Sequence, residues 1–247
     1  MARQPRKLSG SGYYHVMQRG IDKQDIFYEE EDYALYLKSL QRAAKETGVK
    51  VVAYCLMSNH THLLLWEGEK PLSLMMKKLG VLYVSRFNRK YERNGHLFQD
   101  RFQSEAVEDE QYLLTVIRYI HQNPEKAGMC SAREYPFSSY AAYVSDRETW
   151  IDNSMPLQLM NGPQGFLTFM QTAEATQCLE IDSGSYLSEQ EALATVLRVT
   201  ELENPLSIAA FAVKERNEML KKCKKAGVTV RQLSRLTGLN RNIVQRA

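Results

Sequence analysis

The 247-residue chain is 44% hydrophobic and 25% charged, an ordinary globular composition long enough for one large domain or two modest ones. Thirteen glycines and seven prolines exclude collagen-like and low-complexity sequence, and no apolar run approaches the roughly 20 residues that span a bilayer. The net charge of +3 is unevenly spread: residues 1–144 carry 20 Lys/Arg and 17 Asp/Glu, residues 145–212 carry 2 and 10, and residues 213–247 carry 10 and 2. A basic segment behind an acidic one either attracts phosphate backbones or is a solvated helix face.

In chain order, Tyr13-Tyr-His-Val-Met-Gln-Arg19 alternates and is rich in β formers, so it predicts a strand ended by Gly20. Glu29-Glu-Glu-Asp32 ahead of Tyr33, Leu37 and Leu40 predicts a helix with acids in its first turn, closed by Gly48. Residues 49–66 predict a hairpin: a strand to Leu56, turn chemistry at Ser58-Asn59, and a third strand from His60 to Trp66. The apolar run in that third strand suggests a central position. Pro71 can open a helix as its N1 residue, with Leu72, Met75, Met76, Leu79, Tyr83 and Phe87 at helical spacing until Asn94-Gly95. Phe102 to Val107 predicts a fourth strand. Glu108-Asp-Glu110 opens another helix, with Leu113, Leu114, Ile117 and Ile120 as its buried stripe. Pro124 should end or kink that helix.

This β-α-β-β-α-β-α order predicts an α+β fold, a ferredoxin-like antiparallel sheet with helices on one face, over residues 1–144. Residues 145–187 lose periodicity and are expected to be an acidic linker with one short helix near residues 166–171. Residues 188–247 predict a small all-α unit. It begins with the capping-box pattern Ser188-Glu-Gln-Glu191, and Leu206 to Lys222 is expected as one helix. Thr229-Val-Arg-Gln232 is a second capping box, and Asn240 can cap a last helix after a turn holding Gly238. Helix, short turn, helix is the helix-turn-helix layout, and Arg241, Asn242, Gln245 and Arg246 are residue types that reach bases or phosphates. A small bundle used only for packing is the plainer alternative.

The charged N-terminus has no apolar stretch behind it, so no secretory signal is expected. Cys55, Cys130, Cys178 and Cys223 are far apart, which suggests reduced thiols in a cytoplasm. Chemistry concentrates in two places. His60 and His62, two apart on a predicted strand, leave the same face and can grip one divalent metal. An isolated His-x-His also fits one turn-capping histidine beside an incidental one. Tyr119 and Asn123 are one turn apart on a helix face. Tyr119 could be a nucleophile and the Asn123 amide oxygen a hard ligand, although a chain with 14 tyrosines uses most of them for packing.

Taken together, these pieces resemble the single-tyrosine HUH transposases, and within them the REP-associated branch. The resemblance rests on His15-Val-Met-Gln-Arg-Gly20 with Ile26-Phe27, Met57-Ser-Asn-His-Thr-His-Leu63, Gly95-His-Leu-Phe-Gln-Asp-Arg-Phe-Gln-Ser104, Arg118-Tyr-Ile-His-Gln-Asn-Pro-Glu-Lys-Ala-Gly128 and Pro136-Phe-Ser-Ser-Tyr140, in that order. It implies a ferredoxin-like fold, Tyr119 as nucleophile, and His60 and His62 as ligands of Mg²⁺ or Mn²⁺. Asn123 falls where insertion-sequence relatives place a glutamine ligand, and Thr61 stands where the motif usually has a large hydrophobe. Arg19, Arg101 and Arg118 become candidate phosphate contacts, and His15 and His96 candidate DNA contacts or supporting partners. His121 is expected to be structural or on the surface. The basic tail resembles, more weakly, initiator-type modules appended to some of these transposases.

The expected activity is cleavage and rejoining of single-stranded DNA through a 5′-phosphotyrosine, on hairpin-forming repeats. The expected partners are single-stranded and hairpin DNA and no membrane, with a homodimer left open. The runner-up is a non-cutting, sequence-specific DNA-binding regulator derived from a transposase. A metal-dependent hydrolase using water would leave Tyr119 and the basic tail unexplained.

Overall fold

The computed structural model describes residues 7–145, 148–171, 178, 187 and 189–247. The chain begins with β1 (Tyr13–Arg19), α1 (Glu30–Thr47), β2 (Lys50–Met57), β3 (His60–Trp66), α2 (Leu72–Lys90), β4 (Gln103–Val107) and α3 (Glu110–Lys126). The four strands form one antiparallel sheet in the order β2-β3-β1-β4. This is the ferredoxin-like arrangement expected from the element order, with β3 flanked on both sides.

The first helix begins as its acids require. The Glu29 side chain accepts from the first turn, and Asp32 Oδ2 accepts from the Glu29 amide at 3.1 Å. Gly48 closes it in the left-handed region (φ 74°), where glycine sits without strain. Pro71 caps α2 from outside, one residue earlier than the N1 place expected of it.

Side chains alternate across β3. Thr61 faces α1, where the Tyr36 hydroxyl lies 3.3 Å from its Oγ1, and Tyr36 meets Tyr83 of α2 edge to face. Both ferredoxin helices therefore share one face. His60 and His62 point to the other face, which α3 covers by setting Tyr119 against His62. Leu63, Leu64 and Leu65 are fully buried, as a strand covered on both faces demands.

Pro124 does not end α3, which continues to Lys126. Proline removes the donor that would reach the Ile120 carbonyl. The Asn123 side-chain amide takes over: its Nδ2 donates to the Tyr119 carbonyl at 2.8 Å and reaches the Ile120 carbonyl at 3.4 Å.

Within the stretch expected as linker, the described residues 148–171 are folded. Helices α5 (Ser154–Leu159) and α6 (Pro163–Gln171) follow α4 (Tyr140–Val144), and Ile151, Met160 and Phe166 are buried in the main core. The expected short helix is present as α6. Its neighbours carry no periodic stripe; a few large apolar residues anchor them instead.

A second core gathers Ala192, Val196, Ile208, Leu220, Cys223, Leu233 and Val244 from α7 (Glu189–Thr200), α8 (Val213–Lys225), α9 (Val230–Thr237), α10 (Arg241–Arg246) and the turn between α7 and α8. Ser188 lies outside the described residues. The single helix expected over Leu206–Lys222 is broken. A 3₁₀ turn occupies Pro205–Ala210, and Phe211 and Ala212 are extended before α8 starts. Pro205 and Ile208 are both buried, and a 3₁₀ turn stacks residues three apart on one side. The Thr229–Gln232 capping box and the Asn240 cap form as expected. None of the four cysteines is in a disulfide. No described helix is long and apolar enough to cross a membrane.

Candidate active site

His60 and His62 open β3, the strand held between β2 and β1, so the sheet fixes their backbone. Their rings stand 5.0 Å apart, centroid to centroid. His15 of β1 joins them: its ring stacks on His62 at 5.3 Å, and its Nε2 lies 3.1 Å from His62 Nδ1. Tyr119 closes the group from α3, with its ring centroid 5.4 Å from His62 and 5.7 Å from His15. The tyrosine is 6% exposed and His60 9%, so the cluster lies just beneath the surface.

The orientation of His60 is well determined. Asn59 Nδ2 donates to the Lys23 carbonyl at 3.1 Å, which turns Oδ1 toward His60 Nδ1 at 2.6 Å. His60 must then carry its proton on Nδ1, leaving the lone pair on Nε2. The pair His15–His62 does the same for His62 when the shared proton sits on His62 Nδ1. Metal-binding histidines commonly hold their second nitrogen in this way.

Burial keeps these rings neutral. It pushes His15 down to about 3 and, aided by the Arg19 charge, His60 down to about 3. His62 is also well below the usual histidine range, through burial first and then His60, His15 and Lys126. Neutral imidazoles are what a divalent ion requires. Among the described residues no group of three or more His, Cys, Asp or Glu stands together as a metal site. A bound ion would therefore have two imidazoles, with other ligands supplied by an amide, water or substrate. Asn123, buried one turn from Tyr119, has its amide nitrogen committed to α3, which leaves Oδ1 as its ligating atom.

The remaining candidates separate. Arg19 pairs in register with His60 across the sheet, at the edge of the site. Arg118 is buried, with its guanidinium 3.8 Å from the centre of the Phe169 ring, so it packs α6 onto α3 and is not displayed to a phosphate. Arg101 is exposed in the loop before β4, and His96 is exposed in the loop after α2. His121 is fully buried, donating to or accepting from Ser139 Oγ at 2.8 Å among Tyr140, Tyr143 and Phe166. Three of the four tail residues expected to reach bases or phosphates face the N-terminal region: Gln245 donates to Gln24 Oε1 at 2.9 Å, Arg246 pairs with Glu92 at 3.5 Å, and Arg241 acts on the buried carboxyl of Asp25. Asn242 is exposed.

Two neighbours of the site go beyond the sequence expectation. Asn59 reads in sequence as a turn residue, and its position just before the first histidine is the signal that marks it. Lys126 puts its Nζ 4.2 Å from the Tyr119 ring centre. Seven residues on a helix is two turns, so the spacing from Tyr119 to Lys126 is legible on one face.

Residues 9–123 match the family model described as "Transposase IS200 like". This stretch is similar to the IS200-like transposases. The chain is also 25% identical over 121 residues to a Haemophilus influenzae protein provisionally named a REP-associated tyrosine transposase, covering 42% of this chain and 69% of that protein. A solved REP-associated tyrosine transposase bound to a REP hairpin superposes with a TM-score of 0.55 at 15% identity, over 74% of this chain and all of that one. At that identity the likeness is one of fold. The fold expected from the element order and the likeness expected from the five motifs are thus borne out, the likeness over residues 9–123.

Proposed function

We propose that the protein cuts and rejoins single-stranded DNA through a covalent bond to Tyr119. The observation that carries this reading is the phenol of α3 standing against the His15–His62 pair of the sheet, on the same face as His60. In the cleavage step the Tyr119 oxygen bonds to phosphorus and the bond from phosphorus to the 3′ oxygen breaks. The phenol proton leaves, and the departing 3′ oxygen takes one up. The products are a 5′-phosphotyrosine and a 3′-hydroxyl. Attack by another 3′-hydroxyl reverses the step and needs no nucleotide cofactor, because the phosphotyrosine keeps the phosphodiester energy.

Lys126 places a positive charge beside the phenol at the moment its oxygen turns anionic. Asn59 and His15 hold the two imidazoles in their ligating orientation. His60, His62 and Asn123 would hold Mg²⁺ or Mn²⁺, whose chemistry is to polarise the scissile phosphate. By likeness to the hairpin-bound transposase, the substrate is a hairpin-forming repeat with a single-stranded flank. Residues 1–144 carry the chemistry, joined by the packed helices after them, and residues 188–247 serve DNA docking. The non-cutting regulator finds less support, because three of the four α10 residues expected to reach bases or phosphates are turned toward the N-terminal region.

The test is an adduct assay. Labelled single-stranded DNA carrying a hairpin, mixed with protein and Mg²⁺, should give a labelled protein band on a denaturing gel. Wild type without a band, or Tyr119→Phe with an equal one, overturns the reading.

A further inference from the structure

Beside Asn59 and Arg19, next to the site, lies a cleft that the C-terminal helices close. Its volume is about 370 Å³. Arg19, Lys23 and Asn59 line one wall, and Lys224, Lys225 and Thr229 line the other. Asn59 is the residue that orients His60, so the cleft starts at the rim of the catalytic cluster. Four cations face it against one carboxylate, Asp22, among the described residues that line it. Lys224 is fixed there, its Nζ donating to the Val244 carbonyl at 3.2 Å, whereas Lys23 and Lys225 are exposed.

We propose that this cleft holds the backbone of a single DNA strand on its way to Tyr119, and that the C-terminal helical unit acts as the cleft's far wall, not as a free-standing reader of duplex DNA. The inference rests on the strand-cleaving reading above and adds a binding site to it. The charge selects a polyanion. The volume takes a short segment of one strand. The cations are mainly lysines, point charges that contact phosphates without reading bases. The bonds of Gln245 with Gln24 and of Arg246 with Glu92 hold the two walls together, which explains why α10 spends its polar residues on protein.

The experiment measures affinity against salt for a fluorescent oligothymidylate and for a duplex of equal length. Full-length wild type, Lys23→Gln, Lys225→Gln, the double variant and Lys221→Gln are compared, with equal melting temperatures required of all. Lys221 is exposed on the same helix but does not line the cleft. On the single strand, each cleft variant should lower the slope of log affinity against log salt by about 0.7, and the double by about twice that. Lys221→Gln should leave the slope alone. Unchanged slopes in both cleft variants, or an equal loss in Lys221→Gln, overturn the cleft. Equal losses on the duplex overturn the single-strand assignment. The adduct assay separates this from the activity: adducts with unchanged slopes sink the cleft alone, and lowered slopes without adducts sink the cleaving reading alone.

Discussion

Tyr119→Phe removes one oxygen from a ring already packed against His15 and His62, so the core should hardly register the change. Cleavage, in contrast, should disappear while binding of single-stranded DNA persists. A gel-shift and an adduct gel on the same preparation check both halves. Asn59→Ala leaves His60 in place but removes the acceptor for its Nδ1 proton. Divalent-ion affinity, read by calorimetry, should then weaken roughly 10- to 100-fold. The buried histidines also set an acid limit on stability. Burial lowers His121, which lies away from the site, to about 3. The folded ring stays neutral, while the unfolded chain takes up a proton below the ordinary histidine value of 6.5. Stability from this group is therefore unaffected above pH 6.5 and falls as pH drops below it, by up to about 1.4 kcal/mol per pH unit. His121→Gln should flatten the fall between pH 6.5 and 5 in chemical denaturation, and an unchanged pH profile would refute the assignment.

The third helix shows where local rules and tertiary structure part. Proline in a helix predicts a break, and only the folded arrangement reveals that the preceding asparagine supplies the missing donor. This gives Asn123 two separable jobs. Asn123→Asp keeps an oxygen for a metal but loses the amide protons, so it should cost about 1 kcal/mol of stability while retaining metal-dependent cleavage. Asn123→Ala should lose the stability and weaken metal binding as well. Urea melts alongside calorimetry distinguish them. Elsewhere, the elements legible in sequence are those with a strong period or a cap. The sheet, its central strand, α1 to α3 and the α9–α10 turn all belong to this class. The helices after residue 140 depend on scattered anchors, such as Phe166 against Tyr143 at 4.8 Å between ring centres, and no spacing announces such packing. The His60–His62–Tyr119 grouping is legible because strand alternation and motif order coincide. His15 is visible only as a motif residue, since its meeting with His62 depends on how β1 pairs with β3. Arg118 misleads for the complementary reason: its charge is conspicuous in sequence, and the Phe169 ring that covers it is not.

At the scale of the molecule, the charge division acquires a geometry. The acidic middle of the chain supplies α5 and α6 to the first core and α7 to the second, and the basic end completes the second core, with Lys224 and Lys225 lining the cleft beside Asn59. Two separate apolar cores mean that ending the chain after residue 187 should leave the first one folded. The tail is tied to the N-terminal region by polar groups: the Gln24–Gln245 bond, the exposed Arg246–Glu92 pair and the arginines beside Asp25. Asp25 is 3% exposed, and its carboxyl is raised chiefly by burial, so removing the tail returns it to water and relieves that burden. The shortened protein should melt cooperatively and still form the Tyr119 adduct at high protein concentration. Its affinity for single-stranded DNA should be lower, with a salt slope reduced by about 1.4 if Lys224 and Lys225 each meet one phosphate. A tail that instead covers the site would behave in the opposite way, and its removal would raise the adduct rate at every salt concentration. Slope and rate measured on the two chain lengths therefore decide between a wall that binds substrate and a cover that blocks it.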